Sequence, residues 1–165
     1  MTNIHASCVT LANAGRAFGA NPRDGVLLLG DSGAGKSDLA LRLIAQGATL
    51  VADDRIELFV RDDALWVRAP AKLAGLIEVR GLGIVALPHA AEARVALVIR
   101  LVAPDSVPRL PPAERYEPPD PLIISAGARP PVLSLAAFDA SAPAKVALAA
   151  AAFAGALFRQ ESNPE

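Results

Sequence analysis

A chain of 165 residues is long enough for one domain with a proper core and too short for two ordinary ones, so a single domain over residues 1–165 is expected. Its 16 basic and 17 acidic side chains nearly balance and form no basic run, which argues against nucleic acid or an anionic membrane as a partner. The lone cysteine, Cys8, rules out an internal disulfide; with no signal peptide at the N-terminus, it is expected in a reducing cytoplasm as a small buried hydrophobe.

Residues 1–19 hold a lone histidine, His5, and an alternating stretch, Cys8-Val9-Thr10-Leu11, expected as the first strand. Asn21 to Gly25 reads as a turn. The apolar run Val26 to Leu29 then leads directly into Gly30-Asp31-Ser32-Gly33-Ala34-Gly35-Lys36-Ser37, which fits G-x-x-x-x-G-K-[S/T]. This is the pattern of a phosphate-binding P-loop. Its glycines let the backbone wrap a triphosphate and aim N–H groups at the oxygens, and the helix N-terminus that follows favours anions. Lys36 is expected at the β- and γ-phosphates of ATP and Ser37 at the bridging Mg²⁺. Ser37 to Gln46 reads as the following helix, stopped by Gly47.

The next strand, Ala48 to Ala52, ends in Asp53-Asp54, where α/β sheets carry their ligand sites. Neighbouring strand side chains point to opposite faces, so the two acids serve different tasks only if the chain turns there: one at the metal, the other at an acceptor hydroxyl. Ile56–Val60 and Leu65–Arg68 read as a hairpin with a four-residue turn, Arg61 to Ala64. Ile77 to Ile84 sets Glu78 and Arg80 among apolar residues with two glycines, which suits a tight bend or an alternating strand. Ala93 to Val102 is expected as a central strand; His89 just before it carries no functional argument.

Residues 104–121 contain seven prolines, so regular structure is not expected; such a loop is a functional arm or an excursion. Ser141 as N-cap and Pro143 in the first turn open an alanine-rich helix expected over about 142–158. It contains the longest apolar run, the 13 residues Val146 to Phe158, too short to span a bilayer. Gln160 to Glu165 reads as a frayed tail.

The P-loop, Leu50-Val51-Ala52-Asp53-Asp54 and Ile77 to Ile84 together resemble the catalytic C-terminal domain of bacterial HPr kinase/phosphorylase, in a short form without the N-terminal domain. The fold this implies is a single α/β P-loop domain related to phosphoenolpyruvate carboxykinase. The activity it implies is transfer of a phosphoryl group from ATP to a serine of the phosphocarrier protein HPr in the cytoplasm. By that pattern Lys36 and the loop hold the phosphates, Ser37 and Glu78 help to hold Mg²⁺ with Asp53 at the metal, and Asp54 takes the acceptor's proton. His5 matches the family's active-site histidine, and Arg109 is the candidate for its active-site arginine, with Arg115 close by. Full-length relatives are hexamers, which suggests a homo-oligomer. Phe138 to Pro143 stands where bifunctional members carry a Pro-Gly-Arg-Asn-type segment, so weak or absent phosphorylase activity is expected. The competing readings are a P-loop kinase for another acceptor and an ATP-sensing module without turnover.

Overall fold

The structure, a computed structural model, describes residues 1–155, 157 and 158. Its centre is a pair of parallel strands, β3 (Asp24–Leu29) and β9 (Ala93–Leu101), paired from Asp24 opposite Arg94 to Leu29 opposite Arg100 with one register shift between Gly25 and Val26. Both strands are apolar throughout their middle because both of their faces are covered. Val26, Leu28, Leu97 and Ile99 join Leu39 and Leu43 of α1 (Lys36–Ala45) and Val146 and Ala150 of α2 (Ala142–Gly155) in one core. Leu27 and Val98 point the other way, into a second core shared with Cys8, Ile56, Leu58, Leu65, Val67 and Val132.

The sheet has eight strands. Along β1 (Thr2–His5), β5 (Arg55–Arg61), β6 (Ala64–Arg68), β9, β3, β2 (Ser7–Thr10) and β4 (Thr49–Ala52) each strand pairs with the next. The eighth, β10 (Val132–Leu135), runs parallel to the second half of β9, whereas β6 pairs antiparallel with its first two residues. A separate antiparallel hairpin, β7 (Leu76–Val79) with β8 (Gly83–Ala86), lies beside α1. This is the α/β P-loop architecture expected, with the central strand at residues 93–101.

Several boundaries differ from expectation. The first strand is β1, not Cys8–Leu11, and β2 begins at Ser7 and ends at Thr10. Leu11 is buried ahead of a 3₁₀ helix over Ala12–Phe18, which no periodicity in the sequence announces. The Asn21–Gly25 turn is tighter: Asn21 Oδ1 accepts the Arg23 N–H at 3.0 Å, and β3 already starts at Asp24. In the β5–β6 hairpin Arg61 and Ala64 still pair, leaving a two-residue loop in which Asp62 and Asp63 both have φ of 52°. Two successive left-handed residues match the twist of the flanking strands, and aspartate tolerates them. The residue 77–84 segment contains both readings, two strands and a bend between them with Gly81 at φ 93°.

β10 was not expected. Its four residues carry no turn signal of their own and are recruited by the free edge of β9. In the proline-rich stretch there is one 3₁₀ turn, Pro104–Ser106, and an isolated bridge from Arg115 to Pro131. Helix α2 ends at Gly155, short of Phe158; the Leu157 N–H closes on the Ala152 carbonyl at 3.1 Å, the wide bond common at helix ends. The tail 160–165 lies outside the described residues. No helix among the described residues is long and apolar enough to cross a membrane.

Candidate active site

Strand β3 delivers the chain into the P-loop and α1 carries it away, so the loop caps the C-terminal end of the central strands. Gly33 and Gly35 both take positive φ, 82° and 98°, which no residue with a Cβ adopts cheaply. Open space lies where a Gly33 side chain would be, whereas a Cβ on Gly35 would stand 2.8 Å from Ala137 Cβ and 2.9 Å from Phe138 Cζ. The first glycine leaves the cradle open, and the second lets the 137–138 segment rest on it. Lys36 folds back on its own loop, donating to the carbonyls of Gly30 at 2.7 Å and Asp31 at 3.0 Å. Among the described residues it is paired with no carboxylate, so its charge is available to an anion in the cradle.

The end of β4 treats its two acids differently. Asp53 is 4% exposed, and its carboxylate gathers three donors from three elements. Oδ1 accepts the hydroxyls of Ser7 at 2.6 Å and Ser37 at 2.7 Å, and Oδ2 accepts the Glu78 N–H at 3.2 Å. The Asp53 carbonyl accepts the Arg55 N–H at 2.8 Å around Asp54, whose φ is 67°. An i→i+2 bond across a residue of positive φ is a strained γ-turn, a conformation that concentrates at functional sites. It is the turn that separates the two side chains.

Asp54 thereby faces solvent, its side chain 59% exposed, with His5 Nδ1 3.3 Å from Oδ1. The chain between β1 and β2 holds this pair from beneath: Ala6 donates its N–H to the Asp54 carbonyl at 3.2 Å, while His5 and Ser7 on either side reach the two acids. Sequence reasoning missed Ser7. Its only signal was a hydroxyl beside the apolar strand Cys8-Val9, two residues from His5.

His5, Lys36, Ser37, Asp53, Asp54 and the backbone of Glu78 are thus linked at one end of the sheet. The Glu78 carboxylate is exposed and has no partner among the described residues. Among those residues no group of three or more His, Cys, Asp and Glu side chains is placed to hold a metal ion. A cation would therefore rest on Ser37, a carboxylate, phosphate oxygens and water, a set that suits Mg²⁺. Because Ser37 donates its proton to Asp53, the lone pairs of its oxygen remain for such an ion.

Arg109 is exposed in the proline-rich stretch and makes no side-chain bond among the described residues. Arg115 is at the other end of the molecule: its guanidinium donates to the Arg129 carbonyl at 3.2 Å, in a pocket lined by Asp24 and Arg94, where β3 and β9 begin. It is not beside the P-loop. A second residue missed was Arg42 of α1, which donates to the carbonyls of Ala137 and, at 3.2 Å, Asp139. These carbonyls form one wall of a cleft of about 580 Å³ against the P-loop, lined also by Asp31 to Ala34 and by Leu101 to Pro104.

The profile of the HPr Serine kinase C-terminal domain matches residues 22–108, just over half of the chain. The chain belongs to this family. The match takes in the P-loop, Asp53-Asp54 and Glu78 and stops one residue before Arg109. Among curated proteins, HPr kinase/phosphorylase of Levilactobacillus brevis is 50% identical over 62 residues, covering 37% of this chain and 20% of that protein. The Limosilactobacillus reuteri protein of the same name is 52% identical over 62 residues, covering 37% and 19%. The matched region thus spans about a fifth of the length of these relatives. The fold match is more extensive: the Hpr(Ser) kinase/phosphatase from Coxiella burnetii aligns with a TM-score of 0.70 and 25% identity, over 90% of this chain and 94% of that one.

Proposed function

We propose that this chain is an ATP-dependent serine kinase whose acceptor is HPr, the protein after which its family and relatives are named. The observation that carries the reading is the γ-turn at Asp54: it seats one acid under the P-loop serine and turns the next out to solvent beside His5. A site for phosphate binding alone has less need of an outward carboxylate held in a strained conformation next to the cradle.

The roles follow from position. The loop N–H groups and Lys36 take the β- and γ-phosphates, and Lys36 exchanges two loop carbonyls for them. Bound Mg²⁺ supplies charge neutralisation between those phosphates. Ser37 would hold it, with the unpartnered Glu78 carboxylate as the candidate acid to help; Asp53, expected at the metal, already accepts protein donors on both oxygens and would act on the ion by orienting Ser37. Asp54 accepts a hydrogen bond from the acceptor serine and takes its proton as the oxygen attacks the γ-phosphorus and the bond to the β,γ-bridging oxygen breaks, releasing ADP. A carboxylate is a far weaker base than an alkoxide, so this transfer comes late. His5 flanks Asp54, its Nδ1 3.3 Å from Oδ1, and is placed to steady the carboxylate. Arg109, on its exposed arm and unlike Arg115 not held at the far end of the sheet, is the arginine assigned to the transferring group. With Phe138 to Pro143 in place of the Pro-Gly-Arg-Asn-type segment, the reverse phosphorylase reaction is weak or absent.

The test is transfer of labelled γ-phosphate from Mg-ATP to purified HPr, run beside Asp54→Asn and an HPr whose acceptor serine is alanine. Label with the first pair and with neither control is expected. ATP binding without transfer to HPr would send the search to another acceptor or to a sensor without turnover.

A further inference from the structure

Phe138 is 70% exposed although the chain on both sides of it is tied down. The Arg42 guanidinium holds the carbonyls of the residues before and after it, and its ring edge rests on Gly35, where no Cβ intervenes. Arg42 is itself tied to Asp38 at 2.9 Å on the same helix. A large apolar ring left mostly in water forgoes the stabilisation of burial. The ring overlooks the cleft beside the P-loop. Leu101 to Pro104, which leave the sheet beside residues 136–139, also line the cleft and are apolar; among the described residues its charged lining is Asp31 and Asp139, with no lysine or arginine. Such walls do not suit phosphates. They suit the flat, uncharged end of a nucleotide whose phosphates lie in the adjoining loop.

We propose that Phe138 is the platform on which the base of the bound nucleotide stacks, with residues 101–104 completing the apolar lining. This rests on the nucleotide reading of the P-loop and adds the part of the ligand that the loop cannot recognise. Any base presents a π-face, so stacking contributes affinity without choosing strongly among bases. Arg42 is a positioning residue for that platform.

The experiment compares Mg-ATP with Mg-tripolyphosphate, which has the phosphates and no base, binding to the wild-type chain, Phe138→Ala and Phe138→Trp by calorimetry. Phe138→Ala is expected to weaken ATP about tenfold, from the usual contribution of one stacked base, and to leave tripolyphosphate unchanged. Phe138→Trp is expected to keep ATP affinity and to show indole fluorescence quenched by ATP but not by tripolyphosphate. Undiminished ATP affinity in Phe138→Ala would overturn the proposal, as would equal losses for both ligands, which would mean that the loop itself had been disturbed. A wild-type chain that binds neither ligand would overturn the nucleotide reading, and this one with it.

Discussion

Replacing Asp53 with alanine removes the acceptor for three donors at once. The Ser7 hydroxyl, 2.6 Å from the carboxylate, belongs to a residue with no exposure, so it is left without a partner in the interior. Ser37 loses a bond of 2.7 Å and the Glu78 N–H one of 3.2 Å, but both are only partly buried and water can replace the acid. Bonds to a charged group are worth about 1.5–3 kcal/mol each, and an orphaned buried hydroxyl costs about 1–3 kcal/mol. Counting the Ser7 site in full and the other two at a discount gives a loss of about 3–4 kcal/mol. For a domain of this size that lowers the melting temperature by roughly 10 °C. Asp54→Asn should do the opposite: its side chain is exposed, and asparagine tolerates the left-handed backbone, so the melting temperature stays within about 2 °C while phosphoryl transfer is lost. Thermal melting of both variants, with urea midpoints as a second measure, checks the pair. Asp53→Ala melting within about 2 °C of the wild type would refute the view of Asp53 as the knot tying β2, α1 and β7 to the end of β4.

Lys36→Ala is expected to abolish binding of Mg-ATP in calorimetry while barely changing the melting temperature, because the amine bonds only two carbonyls of its own part-exposed loop. Asp63 gives a pH signature. It accepts the Ser125 hydroxyl at 2.5 Å and the Ser125 N–H at 2.8 Å, and these bonds hold its carboxyl below the ordinary carboxylate range. Its contribution to stability is therefore fully present above the unfolded value near ~3.9 and is lost as pH falls through the lowered native one. The gap in urea midpoint between wild type and Asp63→Asn, which tolerates the same φ, should be constant from neutral pH down to about 5 and close below about 4.

What the sequence reveals of the site is what is local in the chain. The P-loop is eight consecutive residues whose glycine spacing reports its own backbone, and the apolar run before it and the periodic run after it make the strand and helix readable. Asp53-Asp54 is readable as a pair at a strand end, and the need for a turn there follows from strand geometry alone. Which acid lies inward is not readable, because that is decided by Ser7, 46 residues away, and Ser37, 16 residues away. The Arg42 clamp spans 95 and 97 residues and leaves no pattern in either segment. Asp62-Asp63 shows the same limit on a smaller scale: as a turn it is evident, but the bonds from Asp63 to Ser125 cross 62 residues. β10 likewise exists because β9 offers it an edge, and its four residues alone would not form a strand. The motif therefore marks the loop proposed to hold phosphate. The contacts that aim the neighbouring groups, Ser7 under Asp53 and Arg42 behind Phe138, belong to the tertiary fold, where a carboxylate with three donors and a pinned aromatic are physical arrangements and not residue patterns.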